Sequence, residues 1–197
     1  MRLPSFDLSS NGETLAAIVI GAILATASGM LATQFEAWLR RRERERDAAL
    51  LFGEVFATLQ ILLANAEESR SRGNPWGPVT MRILHGARKE IDIYDRNRER
   101  LYDLRSADLR AKTHALMVRA AMPLDGILAA AGDLAARPDD PSLEPLSAAR
   151  EGAFAMLMQL AERIPAIVAD LRAVSRRASA SADPGAVLAP GRTDAGR

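Results

Sequence analysis

The stretch from Leu15 to Phe35 contains no charged residue, and most of its side chains are apolar. As a helix it is about 31 Å long, at about 1.5 Å per residue, which matches the hydrocarbon thickness of a bilayer. One arginine or aspartate near its centre would cost about 2.5 to 3.5 kcal/mol on insertion, so the absence of charge favours a membrane location. The pattern predicts a transmembrane helix over residues 14–38, capped at Asn11 or Thr14.

Two other structures compete with a membrane span for this segment. A buried helix of a soluble protein would need more surrounding protein than the remaining, amphipathic chain supplies. A cleaved signal peptide would use the small residues Ala25, Thr26 and Ala27 as its cleavage site. The apolar run continues past that site, however, and no basic stretch precedes it. We therefore expect the span to be retained.

The distribution of arginines predicts the orientation of the span. Arg2 precedes it, whereas five arginines follow it between residues 40 and 46. Because positive charge stays on the cytoplasmic side, we expect a short extracytoplasmic tail over residues 1–13 and a cytoplasmic domain after the span. In a bacterial cell the membrane would be the inner, plasma membrane. The residues expected at the membrane interface are Phe35, Trp38, Arg40, Arg41 and Arg42.

Small residues recur every fourth position in the apolar segment and form one narrow helical stripe. Such a stripe lets a second helix approach closely, although small residues are also common in transmembrane helices generally. The sequence leaves open whether a partner helix would come from a second copy or from another protein. The predicted helix-packing stripe consists of Ala17, Gly21, Ala25, Gly29 and Thr33.

The charged segment Arg40–Asp47 interleaves basic and acidic residues, so it predicts a solvated helical stem. On a helix its charges pair at a spacing of three residues, as for Arg40 with Glu43 and Arg42 with Glu45. The whole chain has 26 basic and 25 acidic residues, a net charge of +1. Nucleic acid would require uncompensated positive charge, so we do not expect it as a partner. Membrane lipid is expected to contact the first arginines.

Residues 39–177, which include this stem, are predicted to form an antiparallel bundle of about four helices. The first apolar stripe is centred on Leu59, and a loop containing Trp76 follows it. A second helix should start near Pro78, with a stripe through Val79, Ile83 and Ala87. A third should start after Ser106 and bend or restart at Pro123. The last helix should bend at Pro165, and residues 178–197 are expected to be disordered.

Several polar and aromatic residues of the bundle are expected to have structural roles. Arg98 is spaced to lie between the rings of Tyr94 and Tyr102 at a helix rim. His114 is expected as a rim or core histidine, and Trp76 is expected to fold over the end of the bundle. The chain has no cysteine and only two histidines, which fall on different predicted helices. We therefore predict no catalytic residue, no metal site and no cofactor, and we identify no small-molecule substrate.

The sequence thus predicts an all-α protein with a single transmembrane helix. Its expected role is that of a non-enzymatic interaction or accessory protein, which presents a cytoplasmic bundle to a protein partner or a second copy. An alternative role is that of a small membrane-active effector, holin-like or toxin-like, which oligomerises through its transmembrane helix. Expression with a measurement of membrane potential would separate the two roles.

Overall fold

The computed structural model of this chain describes residues 8–137 and 140–180, with side chains described over 18–26, 28–137 and 140–180. Every secondary-structure element within these ranges is a helix, so the all-α class is confirmed. Two short 3-10 helices, Arg98–Asp103 and Pro141–Leu143, lie between longer elements. The α-helices are α1 Leu8–Arg72, α2 Pro78–Arg96, α3 Ala107–Ala136, α4 Glu144–Ala161 and α5 Ile164–Ala180.

The chain divides into two compact units, with the boundary between Arg42 and Glu43 inside the sequence range of α1. The described part of the first unit is helical from Leu8 onward. The predicted cap at Asn11 or Thr14 is therefore wrong, because α1 begins before both residues. Residues 1–7 of the expected tail lie outside the described residues, as does the side chain of Ala17.

The second unit is held together by a hydrophobic core to which all five α-helices contribute. The last part of α1 supplies two phenylalanines, Phe52 and Phe56, which are fully buried. Burying a side chain of this size stabilises the folded state by about 2 to 3 kcal/mol. Other large, fully buried residues are Leu59, Leu63, Leu84, Ile91, Tyr94, Leu104, Met117, Leu124, Ile127 and Leu157.

Helix α2 begins at Pro78, as predicted, but its buried face is shifted by one residue at its start. Thr80 and Leu84 are buried, whereas Val79 is exposed and Ile83 only partly buried. The buried hydroxyl of Thr80 lies 2.9 Å from the Ser69 hydroxyl of α1, which satisfies its hydrogen bonding. A stripe chosen from apolar residues alone misses a buried threonine of this kind.

The predicted stacking of Arg98 between Tyr94 and Tyr102 is not formed. Helix α2 ends at Arg96, and residues 98–103 form a 3-10 helix with a different side-chain period. Tyr94 is consequently buried, whereas Tyr102 is 83% exposed. The four-residue spacing is meaningful only where the chain remains α-helical.

Pro123 and Pro165 occupy different positions in their helices. Pro123 lies inside α3, which continues through it to Ala136, so the helix does not restart there. The predicted last helix is instead two helices, because α4 ends at Ala161 and α5 begins at Ile164. Pro165 occupies the first turn of α5, where its missing N–H has no cost. The second unit therefore packs part of α1 with four further α-helices.

The predicted start of the third helix after Ser106 agrees with the structure. Ser106 caps α3, its hydroxyl accepting a hydrogen bond from the Leu109 N–H at 3.2 Å. Asp140 accepts one from the Ser142 N–H at 2.9 Å and so caps the short helix before α4. Helix α5 continues to Ala180, so residues 178–180 are helical and not disordered as expected, and residues 181–197 of the expected tail lie outside the described residues.

Candidate functional site

The main candidate functional surface is the exposed apolar part of α1, which we call the apolar segment, residues 18–35. None of its apolar window is buried against the rest of the described chain. By length and composition this helix can cross a membrane. Its large exposed apolar side chains are Ile18, Val19, Ile20, Ile23, Leu24, Met30, Leu31 and Phe35.

Two further stretches, Ala107–Ala136 and Pro141–Ala180, are also long and apolar enough to cross a membrane. In the structure 39% of the first window and 28% of the second are buried. Both stretches carry charges that the apolar segment lacks, such as Arg119 with Asp125 and Glu162 with Arg163. Each pair of charges would cost about 5 to 7 kcal/mol at the centre of a bilayer. Helices able to span a membrane are therefore present, and the apolar segment has the lowest insertion cost.

Hydroxyl groups in the apolar segment are satisfied inside the helix itself. Thr26 Oγ1 donates to the Ala22 carbonyl at 2.8 Å, and Ser28 Oγ donates to the Leu24 carbonyl at 2.7 Å. Thr33 Oγ1 donates to the Met30 carbonyl at 2.9 Å. These bonds reduce the cost of placing hydroxyls in hydrocarbon, where unsatisfied polar groups cost several kcal/mol.

The described members of the small-residue stripe, Gly21, Ala25, Gly29 and Thr33, are all exposed. A methyl group added at Gly21 or Gly29 would meet no heavy atom within 4 Å. The stripe is therefore open for the approach of another helix along this face.

An aromatic and arginine cluster follows the apolar segment, at the predicted membrane interface. The rings of Phe35 and Trp38 stack with centroids 5.7 Å apart. The guanidinium of Arg42 lies 3.9 Å from the centre of the Trp38 ring, a cation–π contact. Arg40 forms an ion pair of 2.5 Å with Glu36, and Arg41 is exposed. Aromatic rings beside arginines are typical of the boundary between hydrocarbon and headgroups.

Glu45 in the charged stem does not pair with Arg42 as predicted. Its carboxylate forms an ion pair with Arg105, whose Nε lies 3.2 Å from one carboxylate oxygen, and accepts a hydrogen bond from the Arg105 backbone N–H, also at 3.2 Å. Glu45 is shielded by this contact, with only 12% of its side chain exposed. Sequence spacing finds local pairs only, and this pair joins residues that are far apart in the chain.

Trp76 forms the centre of a second cluster, which connects the α1–α2 loop to α4. Its indole lies between two guanidiniums, 4.3 Å from Arg70 and 4.1 Å from Arg150. The ring of Phe154 meets it edge to face at 5.9 Å, and Trp76 Nε1 donates to Glu151 at 2.6 Å. The prediction that Trp76 folds over the bundle is confirmed. Its partner Glu151 on α4 lies 75 residues away in the sequence, and no local pattern predicts the contact.

The pKa values of two groups in the Trp76 cluster are shifted by their surroundings. Burial raises the pKa of the Glu151 carboxyl, but hydrogen bonds from Trp76 and Arg70 outweigh it, so the pKa lies below its usual value. Burial lowers the pKa of the Arg150 guanidinium. Glu151 also forms an ion pair of 2.5 Å with Arg70. Each side chain of the cluster therefore contacts at least one other member.

Tyr94 and His114 form a buried polar contact between α2 and α3. The Tyr94 hydroxyl and His114 Nδ1 lie 2.8 Å apart, and Tyr94 also packs on Phe52. Burial raises the pKa of the Tyr94 hydroxyl to about 12. His114 is thus a half-buried structural histidine, as the sequence predicted.

Within the described ranges, no group of three or more His, Cys, Asp or Glu residues is placed to hold a metal ion. Comparison with protein-family models matches none of them, and neither the curated proteins nor the solved structures contain a match to this chain.

Proposed function

We propose that this chain is a single-pass membrane-anchored interaction or accessory protein without enzymatic activity. In this proposal the apolar segment lies in the bilayer and the second unit, from Glu43 onward, presents its surface in the cytoplasm. The partner is a protein or a second copy of the chain. The stem arginines contact lipid headgroups.

One observation carries the proposal: every described side chain of the apolar segment is exposed, and the segment holds no charge. Exposed apolar surface of this extent is stable only in lipid or against another protein. The stacked Phe35, Trp38 and Arg42 side chains support the position of the interface. Burial of α3 and α4 side chains in the core of the second unit favours a single span.

Membrane extraction of the full-length chain tests the proposal. After alkaline carbonate treatment we expect the chain in the membrane pellet. The double variant Ile20→Arg and Leu24→Arg should move it to the supernatant, because two central arginines cost about 5 to 7 kcal/mol. The matched control is Met122→Arg, a change at an exposed apolar position of α3. It should leave the chain in the pellet.

Two results would contradict the single-pass proposal. Recovery of the unchanged chain in the supernatant would show that the apolar segment is not embedded in lipid. Release by Met122→Arg would show that α3 contributes to membrane insertion.

The open stripe at Gly21 and Gly29 also supports the second candidate function, a holin-like or toxin-like effector that oligomerises in the membrane. This function predicts loss of membrane potential when the chain is expressed, and an anchored accessory protein predicts no loss. A potential-sensitive dye separates them, with the Ile20→Arg and Leu24→Arg variant as the control that does not insert.

A further inference from the structure

A groove in the second unit lies between the middle of α3 and the corner where α4 meets α5. Its volume is about 390 Å³. The apolar residues that line it come from all three helices: Ala115, Leu116, Leu160, Ala166 and Ile167. Three helices therefore each contribute apolar side chains to the lining of the groove.

Cationic side chains border the same groove. Arg119 and Arg163 line it, are exposed, and form no ion pair with any described residue. Lys112 also lines it and is engaged by Asp108 at 2.6 Å. Asp170 is the acidic residue among its lining groups. The two arginines without partners leave an excess of positive charge beside an apolar surface.

We propose that this groove binds a small amphipathic anion, an apolar chain that ends in a carboxylate or a phosphate. The apolar body would lie on Leu116, Leu160 and Ile167, and the anionic group would be held by Arg119 and Arg163. Guanidiniums suit this task because they bind carboxylates and phosphates through paired hydrogen bonds.

The size of the groove favours a small molecule over a protein segment. Small-molecule sites have volumes of about 300 to 1,000 Å³, and the groove falls in this range. A protein partner needs about 800 Å² of surface on each side, much more than the surface of one such groove. Free fatty acids and phosphorylated single-chain lipids share the required chemistry. The proposal concerns the second unit alone and does not depend on membrane anchoring.

Photolabelling of the full-length chain in phosphatidylcholine nanodiscs tests this binding. The probe is a dodecanoate analogue with a photoreactive diazirine in its chain, and mass spectrometry maps the labelled peptides. We expect labels on the groove segments 113–119 and 160–167. Excess dodecanoate or dodecyl phosphate should each reduce the labels at least fivefold, and the stronger competitor identifies the preferred head group. Dodecanol and dodecyltrimethylammonium, which lack the negative charge, should leave the labels unchanged.

Three variants separate a specific site from general partitioning into lipid. Arg119→Glu with Arg163→Glu should reduce groove labelling at least fivefold by removing the anion contacts. Ala166→Trp should reduce it similarly by filling the groove without changing its charge. Arg82→Glu, at an exposed position of α2 outside the groove, is the matched control and should retain full labelling. Circular dichroism confirms that each variant is folded.

Equal labelling in Arg119→Glu with Arg163→Glu and in the unchanged chain would overturn the proposal. Absence of groove labels in the unchanged chain, or equal displacement by dodecyltrimethylammonium and dodecanoate, would do the same.

Discussion

Trp76 gives the α1–α2 loop a fixed position because four side chains hold its indole at once. Arg70 and Arg150 stack on its faces, Phe154 packs on it, and Glu151 accepts its N–H. The Nε atoms of both arginines are buried without a hydrogen-bond partner among the described residues. Both guanidiniums stack on the indole, and Arg70 is held in addition by its ion pair with Glu151.

Replacing Trp76 tests the strength of this cluster. We expect Trp76→Ala to lower the free energy of unfolding of the second unit by about 2 kcal/mol or more, because an aromatic side chain and its contacts are lost. Denaturant titration followed by circular dichroism measures the change. Tyr102→Ala, at an aromatic residue that is 83% exposed, is the control and should change it by less than about 0.5 kcal/mol. Equal effects of the two variants would show that the cluster contributes no stability.

The raised pKa of Tyr94 predicts that the free energy of unfolding declines in strong alkali. Burial raises its pKa from 10.0 to about 12, so the folded chain holds a proton that the unfolded chain releases earlier. The stabilisation is full below about pH 10 and is lost as the pH rises through about 12. Absorbance of tyrosinate against pH should show a step near 12 that Tyr94→Phe removes and Tyr102→Phe retains. A step near 12 that survives in Tyr94→Phe would contradict this assignment.

At the scale of the helix, the open stripe on α1 allows another helix to approach, and association with a second copy can be tested directly. Gly21→Ile with Gly29→Ile should lower the signal of a transmembrane association reporter severalfold, because large side chains keep the helix backbones apart. The matched control, Ile20→Leu with Leu24→Ile, preserves the small residues and should retain the signal. An unchanged signal in the glycine variant would exclude a second copy as the partner on this face.

The helices of the second unit were predictable where periodicity and capping determine them. Pro78 and Ser106 mark the starts of α2 and α3 in the sequence as in the structure. The break between α4 and α5 was not predictable from Pro165 alone, because a proline fits both a bend and a first turn. Leu157 and Ile164, on either side of the break, are both buried in the core. This tertiary packing is not visible in the local sequence.

The candidate functional surface followed almost entirely from composition, because insertion depends on the sum of side-chain transfer energies. The groove bordered by Arg119 and Arg163 could not be predicted from the sequence. Its residues come from separate helices, and only the packing of α3 beside α4 and α5 brings them together. The same holds for Glu45 with Arg105 and for Trp76 with Glu151.

For the whole molecule, the arginines after Trp38 predict the side of the membrane on which the second unit lies. In a bacterial host, protease should digest the second unit in inverted inner-membrane vesicles and leave it intact in spheroplasts. Immunoblotting against a tag at the carboxyl terminus measures the digestion. A periplasmic and a cytoplasmic marker protein control for membrane integrity. Digestion in intact spheroplasts would reverse the proposed orientation.

The chain contains two tryptophans, and one lies in each unit, at positions 38 and 76. Each indole lies against at least one arginine, Trp38 against Arg42 and Trp76 against Arg70 and Arg150. The molecule therefore has two intrinsic fluorophores that single substitutions isolate. Trp76→Phe leaves the emission of Trp38, which brominated lipids should quench if the chain is anchored as we propose. Trp38→Phe leaves that of Trp76, which reports on the unfolding of the second unit, without any attached dye.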